Sequence, residues 1–174
     1  MFGSKAAKIG VRALSGVVAA TVLTLAVTGS SFAASRNAHG AGGCKNGGWV
    51  TAQSNTGSSF RSELSCLVYV RAGGSVWHPT FVFQPSTVGL NQDAFMHVTG
   101  FHPNDTGTLT QVIVGGPNAG QSFSFLNVPL NSMGNMAVIS TVFTMCNGTQ
   151  GSQWTFTDSH GLHASAMVTL SCAN

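Results

Sequence analysis

The sequence predicts an all-β protein, an antiparallel β-sandwich of seven strands preceded by a small disulfide-bracketed segment. Three observations carry this. From Val76 to the end, short stretches alternate apolar and polar residues and show no helical period. Turn-forming clusters such as Pro103-Asn104-Asp105, Gly115-Gly116-Pro117-Asn118, Asn147-Gly148 and Asp158-Ser159-His160-Gly161 separate them. The cysteines are even in number, none is spaced C-x-x-C, and all follow an export-type leader.

The expected strands are 80–84, 93–99, 108–114, 121–128, 136–144, 152–157 and 163–171. The last is the clearest. Ala164, Ala166, Val168 and Leu170 share one face, opposite Ser165, Met167, Thr169 and Ser171. Many short strands with frequent turns are the pattern of two packed antiparallel sheets. Upstream, residues 44–75 form a small Cys44–Cys66 motif. Phe60, Leu64, Leu67 and Val68 fall on one face of a helix there, with Ser59 as its N-cap and Gly73 as its stop. The competing reading is a strand through Cys66-Leu67-Val68-Tyr69-Val70, rich in β-formers; the helix is preferred.

Lys5, Lys8 and Arg12 precede an uncharged run from Ala13 to Thr28, and small residues follow to Ser35. This is the order of a signal peptide, residues 1–33, with cleavage expected after Ala33. The 16-residue run falls short of the roughly 20 residues of a membrane-spanning helix. Residues 34–43 have no periodicity and read as a flexible tether, and 76–174 as the sandwich. The expected location is therefore secreted, extracellular, where disulfides persist. Four cysteines allow three pairings. Their separations favour Cys44 with Cys66 and Cys146 with Cys172, and the second pair sits at the ends of the fifth and seventh strands, at one pole of the sandwich.

Beyond Ala33 four cations (Arg36, Lys45, Arg61, Arg71) balance four anions (Glu63, Asp93, Asp105, Asp158), a net charge of zero. No cationic stripe can be built for a phosphate backbone, so nucleic acid is excluded as a partner. Four carboxylates also disfavour a multi-carboxylate hydrolase or calcium site. Ser, Thr, Asn and Gln instead supply 48 of those 141 residues, so exposed strand faces are expected to carry uncharged hydrogen-bonding groups and weak steering fields.

Two stretches resemble known sequences. Val98-Thr99-Gly100-Phe101-His102-Pro103-Asn104 and the ending Asp158-Ser159-His160-Gly161-Leu162-His163-Ala164-Ser165-Ala166-Met167-Val168-Thr169-Leu170 are similar to the opening and last hairpin of immunoglobulin-like modules in bacterial exported proteins. The resemblance implies an immunoglobulin-like sandwich and no activity. In that hairpin Asp158 can cap its own turn and Gly161 supply the positive φ. Cys44-Lys45-Asn46-Gly47-Gly48-Trp49, with Phe60 and Cys66-Leu67-Val68-Tyr69-Val70, resembles a C-K-x-G-G-W…C segment of uncharacterised actinobacterial-type exported proteins. A fainter likeness is to antibiotic-carrier apoproteins of the neocarzinostatin type, whose two short-loop disulfides are not matched.

The chemistry-bearing residues are few. Asp158, His160 and His163 have a spacing that could present metal ligands from one turn, and His97 and His102 flank the end of the second strand. The preferred reading is an Asx-capped turn with exposed imidazoles, so neither metal nor cofactor is expected. Asp158-Ser159-His160 has the letters of a hydrolase triad, but adjacent residues in a turn do not form its relay, and no G-x-S-x-G elbow is present. No catalytic residue is assigned. Trp49 and Trp77 are the aromatic candidates for ligand contact, although Trp49 is also expected to pack against the Cys44 disulfide; Trp154, beside Phe156, is expected in the core. The sequence thus points to a non-catalytic cell-surface or extracellular binding or adhesion module, its partner a cell-wall or extracellular glycan or a protein. The alternatives are a small-molecule carrier with a cleft in the sandwich and, less favoured, a metal-dependent hydrolase.

Overall fold

The computed structural model describes residues 21–24, 38–142 and 150–171. Its elements are β1 (Thr21–Thr24), β2 (Ala38–His39), α1 (Glu63–Arg71), β3 (Val76–Trp77), β4 (Thr80–Gln84), β5 (Thr87–Val88), β6 (Asp93–Thr99), β7 (Thr106–Val114), β8 (Ser122–Pro129), β9 (Ile139–Val142), β10 (Gln150–Asp158) and β11 (His163–Leu170). Short 3-10 turns at Ala41–Cys44 and Gly48–Val50 precede α1.

Two sheets face each other, one ordered β1-β9-β6-β4 and the other β5-β11-β10-β7-β8; β2 and β3 form a separate two-stranded ribbon. Each expected strand has a counterpart, and β4 and β6 match the expected bounds residue for residue. Alternation drives this. In β6 Ala94, Met96 and Val98 point inward, and in β7 Gly107, Leu109, Gln111 and Ile113 do, with polar or half-exposed residues between. The expected seven-stranded, all-antiparallel arrangement needs two corrections: among the described residues the short strands β1 and β5 add to the two sheets, and β5 pairs parallel with the end of β11, Thr169 opposite Thr87 and Leu170 opposite Val88. The chain leaves β4 in one sheet and enters β5 in the other.

The core lies between the sheets. Phe81, Phe83, Met96 and Val98 meet Leu109, Trp154, Phe156, Val168 and Leu170, with Phe101 and Leu162 sealing one end. Trp154 and Phe156 are fully buried, as the sequence led one to expect. Phe101 and Phe156 pack edge to face at 5.0 Å, an arrangement that aromatic quadrupoles favour.

Residues 38–76 form a second, smaller core of Cys44, Ala52, Cys66 and Val76, with Trp49, Phe60, Leu67, Tyr69 and Val70 against it. The Cys44–Cys66 disulfide joins it across 22 residues. The CKNGGW stretch has a backbone reason: Asn46 (φ 54°) and Gly47 (φ 83°) are both left-handed and turn the chain into the Gly48–Val50 turn. The helix is present, but two details differ from expectation. Its N-cap is Ser62, in a reciprocal capping box with Ser65, and Ser59 instead bridges to Gln53. Its inward face is also not the expected one, for Leu64 is 67% and Val68 56% exposed. The disulfide fixes which side of α1 faces in, and it selects Cys66, Leu67, Tyr69 and Val70. Ala38–His39, within the stretch read as tether, pairs with Trp77 and Val76, because backbone pairing needs no side-chain periodicity.

The smaller unit is clamped to the sandwich by backbone bonds between Gln53 and Trp77 in both directions, 2.9 Å each. The Gln53 amide in turn donates to His163 O (2.6 Å) and accepts from His163 N (3.0 Å). Gly57, at φ 74°, approaches so closely that a Cβ there would land on Gly161 O.

The expected Cys146–Cys172 bond, the leader cations and the Ala33 cleavage site lie outside the described residues. Thr21–Thr24, inside the expected leader, runs antiparallel along β9. Among the described residues, no helix is long and apolar enough to cross a membrane.

Closing a 22-residue loop restricts the unfolded chain by about 3 kcal/mol. The double variant Cys44→Ser/Cys66→Ser is expected to lose about that much unfolding free energy in urea titrations, and a non-reducing peptide map of the parent to contain the Cys44–Cys66 pair.

Candidate functional site

The site forms where the two stretches that carry the immunoglobulin-like resemblance meet. After β6 the chain turns through Gly100, whose positive φ (83°) and close approach to His78 O leave no room for a Cβ. It buries Phe101, presents His102, and reaches Asp105 through Asn104 in the left-handed region (φ 57°). Opposite, β10 ends on Asp158, and Ser159-His160-Gly161 turns back into β11 with Gly161 at φ 99°. The β7–β10 register sets Asp158 against Gly107, so both loops lie at the same end of the sandwich.

Asp158 is the buried centre, its side chain fully enclosed. Oδ1 accepts from His160 N (3.1 Å) and Leu162 N (2.8 Å), which is the turn-capping role expected of it. Oδ2 accepts from His102 Nδ1 at 2.7 Å and His102 N at 3.4 Å. A buried carboxylate is tolerated only when so satisfied. Asp105 sits nearer the surface. Its Oδ1 accepts from Thr106 N and Ser159 Oγ, both at 2.7 Å, and its Oδ2 from His160 Nδ1 at 3.0 Å and Ser159 N at 3.2 Å. Burial alone would raise its pKa. The hydrogen bonds from Ser159 Oγ, Thr106 N, His160 and Ser159 N outweigh burial and hold the carboxyl below the ordinary carboxylate range.

The rings pack at a tilt. The His102 ring lies 4.3 Å from that of His160 and 4.2 Å from that of Trp77, centroid to centroid, inclined at 39° and 46°. Trp77 Nε1 donates to Asn55 Oδ1 at 2.9 Å, so the smaller unit walls the site. His102, Asp105, Asp158 and His160 each offer a ligand atom within 4.8 Å of the others, a set able to hold a metal ion.

The sequence candidates are therefore redistributed. His160 and Asp158 do come together, but His163 turns away, its Nδ1 against Gly161 O at 3.1 Å. His102 and Asp105 replace it, arriving from a loop more than 50 residues upstream; no local spacing could signal that. His97 stays on β6, and burial lowers its pKa. His78 and His39 make a separate edge-on pair at 5.0 Å; burial first and the His39 charge second lower the His78 pKa, against an opposing hydrogen bond that the ring donates to the Gly43 backbone. Trp77 is 8% exposed and offers no open stacking face, while Trp49 is half-buried beside the Cys44–Cys66 core. Ser159 Oγ lies 3.2 Å from His160, but the hydroxyl and Asp105 both meet the ring at Nδ1. They close a triangle and leave no relay through opposite ring nitrogens.

A second surface is the outer face of the five-stranded sheet. There Ser165, Thr155, Thr110 and Ser124 line up across four strands, flanked by Met167, Gln153, Val112 and Ser122. Ser165 and Thr155 share a hydrogen bond of 2.7 Å, Thr110 and Ser124 one of 3.3 Å. No Asp, Glu, Lys or Arg occupies this face among the described residues.

No family model and no curated protein matches the chain. Among solved structures it is similar to WR4, a C. elegans MSP family member, at 8% identity and a TM-score of 0.30, covering 53% of this chain and 97% of that one.

The lowered Asp105 pKa adds stability above the ordinary carboxylate range that is lost as pH falls through the lower folded value. Urea titrations from about pH 6 down to about pH 2 are expected to show this acid-side loss in the parent and less of it in Asp105→Asn. Asp158→Asn places an amide N–H₂ against the His102 ring and is expected to cost about 3 kcal/mol at neutral pH by the same measurement.

Proposed function

We propose that this is a secreted, non-catalytic extracellular binding module of immunoglobulin-like architecture that recognises a neutral, hydroxyl-rich partner such as a cell-wall or extracellular glycan. The observation that carries the reading is the charge-free outer face of the five-stranded sheet. Its central row presents Ser165, Thr155, Thr110 and Ser124 at the strand spacing of about 4.8 Å. Hydroxyls and amides at a fixed repeat suit a ligand that both donates and accepts hydrogen bonds along its length. Without fixed charge such contacts are insensitive to salt. The closed Ser159–Asp105–His160 triangle supports a non-catalytic reading, as no nucleophile is activated there.

One observation favours the carrier reading. On the inner side of β8, Phe123 and Phe125 are 37% and 38% exposed, and Phe125 stacks parallel to Trp154 at 6.2 Å. Trp154 Nε1 is buried without a hydrogen-bond partner. A small apolar ligand carrying one acceptor would suit that edge.

Co-sedimentation with bacterial cell wall and insoluble polysaccharides separates the readings. Saturable binding that is unchanged between low and high salt is expected, and weaker binding in Thr155→Lys and Thr110→Lys, whose half-exposed side chains lie on the outer face. Binding lost in Phe125→Ala and kept in both lysine variants would move the site to the β8 edge.

A further inference from the structure

We propose that His102, Asp105, Asp158 and His160 form a binding site for one divalent transition ion of the zinc class. Two imidazoles and two carboxylates are a borderline donor set, which suits zinc and its neighbours better than calcium or magnesium, whose sites are built from oxygen. The two carboxylates balance the charge of a dication, so the occupied site is neutral at a place where Asp158 is fully enclosed.

The outer contacts are those a metal site requires. Asp158 Oδ1 is fixed by His160 N and Leu162 N, and Asp105 Oδ1 by Thr106 N and Ser159 Oγ. Each carboxylate then directs Oδ2 at an imidazole Nδ1, Asp158 at His102 (2.7 Å) and Asp105 at His160 (3.0 Å). An ion entering between the two pairs replaces these N–H···O contacts. Each neutral ring binds through the Nδ1 lone pair and carries its proton on Nε2, so no proton is left between ligands.

The fit is close but not closed. Donors around tetrahedral zinc are about 3.4 Å apart, given bonds of roughly 2.0–2.2 Å. The present set lies within 4.8 Å, so the widest pair has to close by at most about 1.4 Å. His160 can supply that movement. Its side chain is 56% exposed on a turn, whereas Asp158 is enclosed and His102, 15% exposed, packs against Trp77. The site is therefore half preformed, with its exposed ligand as the point of entry.

The test is isothermal titration of Zn²⁺ into the purified chain, without a polyhistidine tag, alongside indole fluorescence during titration with Cu²⁺. The expected result is one Zn²⁺ per chain and quenching of the Trp77 emission, since its ring lies 4.2 Å from His102. His160→Ala is expected to weaken Zn²⁺ binding about 100-fold, and Asp105→Asn comparably, with His163→Ala unchanged. His160→Ala removes only an exposed side chain, so loss of binding there is not loss of fold, and a preserved circular dichroism spectrum verifies it. The proposal is overturned by an absence of saturable Zn²⁺ uptake, by uptake that survives His160→Ala, or by an equal loss in His163→Ala. Polysaccharide co-sedimentation by His160→Ala reports on the sheet face separately, so either idea can fail without the other.

Discussion

The fold turns on one carboxylate. Asp158 is enclosed at the end of β10, and its two oxygens accept from three separate residues on two loops. A charge so placed is strongly destabilising unless every lone pair has a donor, which makes the surrounding geometry obligatory. Oδ1 sets the β10–β11 turn; Oδ2 pins His102 and with it the exit from β6. His102 packs against Trp77, and the Trp77 backbone exchanges bonds with Gln53, so the chain of contacts runs from the sandwich floor into the disulfide-bonded unit. Were Asp158 apolar, His102 would lose its carboxylate partner and the two loops would be left joined through Asp105 and the Ser159 N–Thr106 O bond.

The same contacts join two units that each have their own core. Burial holds each together, but what joins them is directional: Gln53 to His163 and Trp77, Trp77 to Asn55, and Gly57 against Gly161. Hydrogen bonds to backbone fix position more tightly than apolar contact, which tolerates sliding. The absence of a side chain at Gly57 is as specific a requirement as the presence of one at Gln53.

Much of the sandwich was legible because strand faces alternate strictly. Met96 and Val98 or Trp154 and Phe156 can be placed inward from spacing alone, and the two matching strand bounds fall where alternation meets a turn former. The helix face was less legible. Leu64 and Val68 look like a buried pair by period, yet the Cys66 bond turns them outward, a covalent constraint overriding an amphipathic pattern only nine residues long. The candidate site was half legible. Asp158 and His160 share a turn and announce each other, whereas His102 and Asp105 join them only through strand pairing across more than 50 residues. Trp77 stood out in the sequence as an aromatic candidate for ligand contact, whereas the structure encloses it, hydrogen-bonded to Asn55 and packed against His102.

The Gln53 amide has a consequence for how the molecule meets copies of itself. The free edge of β11 is occupied at one end by that side chain, standing in for a neighbouring strand at His163, and at the other by Ser86 and Val88, which take the amides of Thr169 and Ser171. Only a short central stretch of that edge is left to template a foreign strand. The opposite edge is β8, where a register irregularity in its pairing with β7 and a left-handed Asn127 (φ 57°) interrupt the row of free backbone groups. Strand-to-strand aggregation of the five-stranded sheet is thus discouraged at one edge by a borrowed amide and at the other by a bend, without the lysines that more highly charged proteins place there.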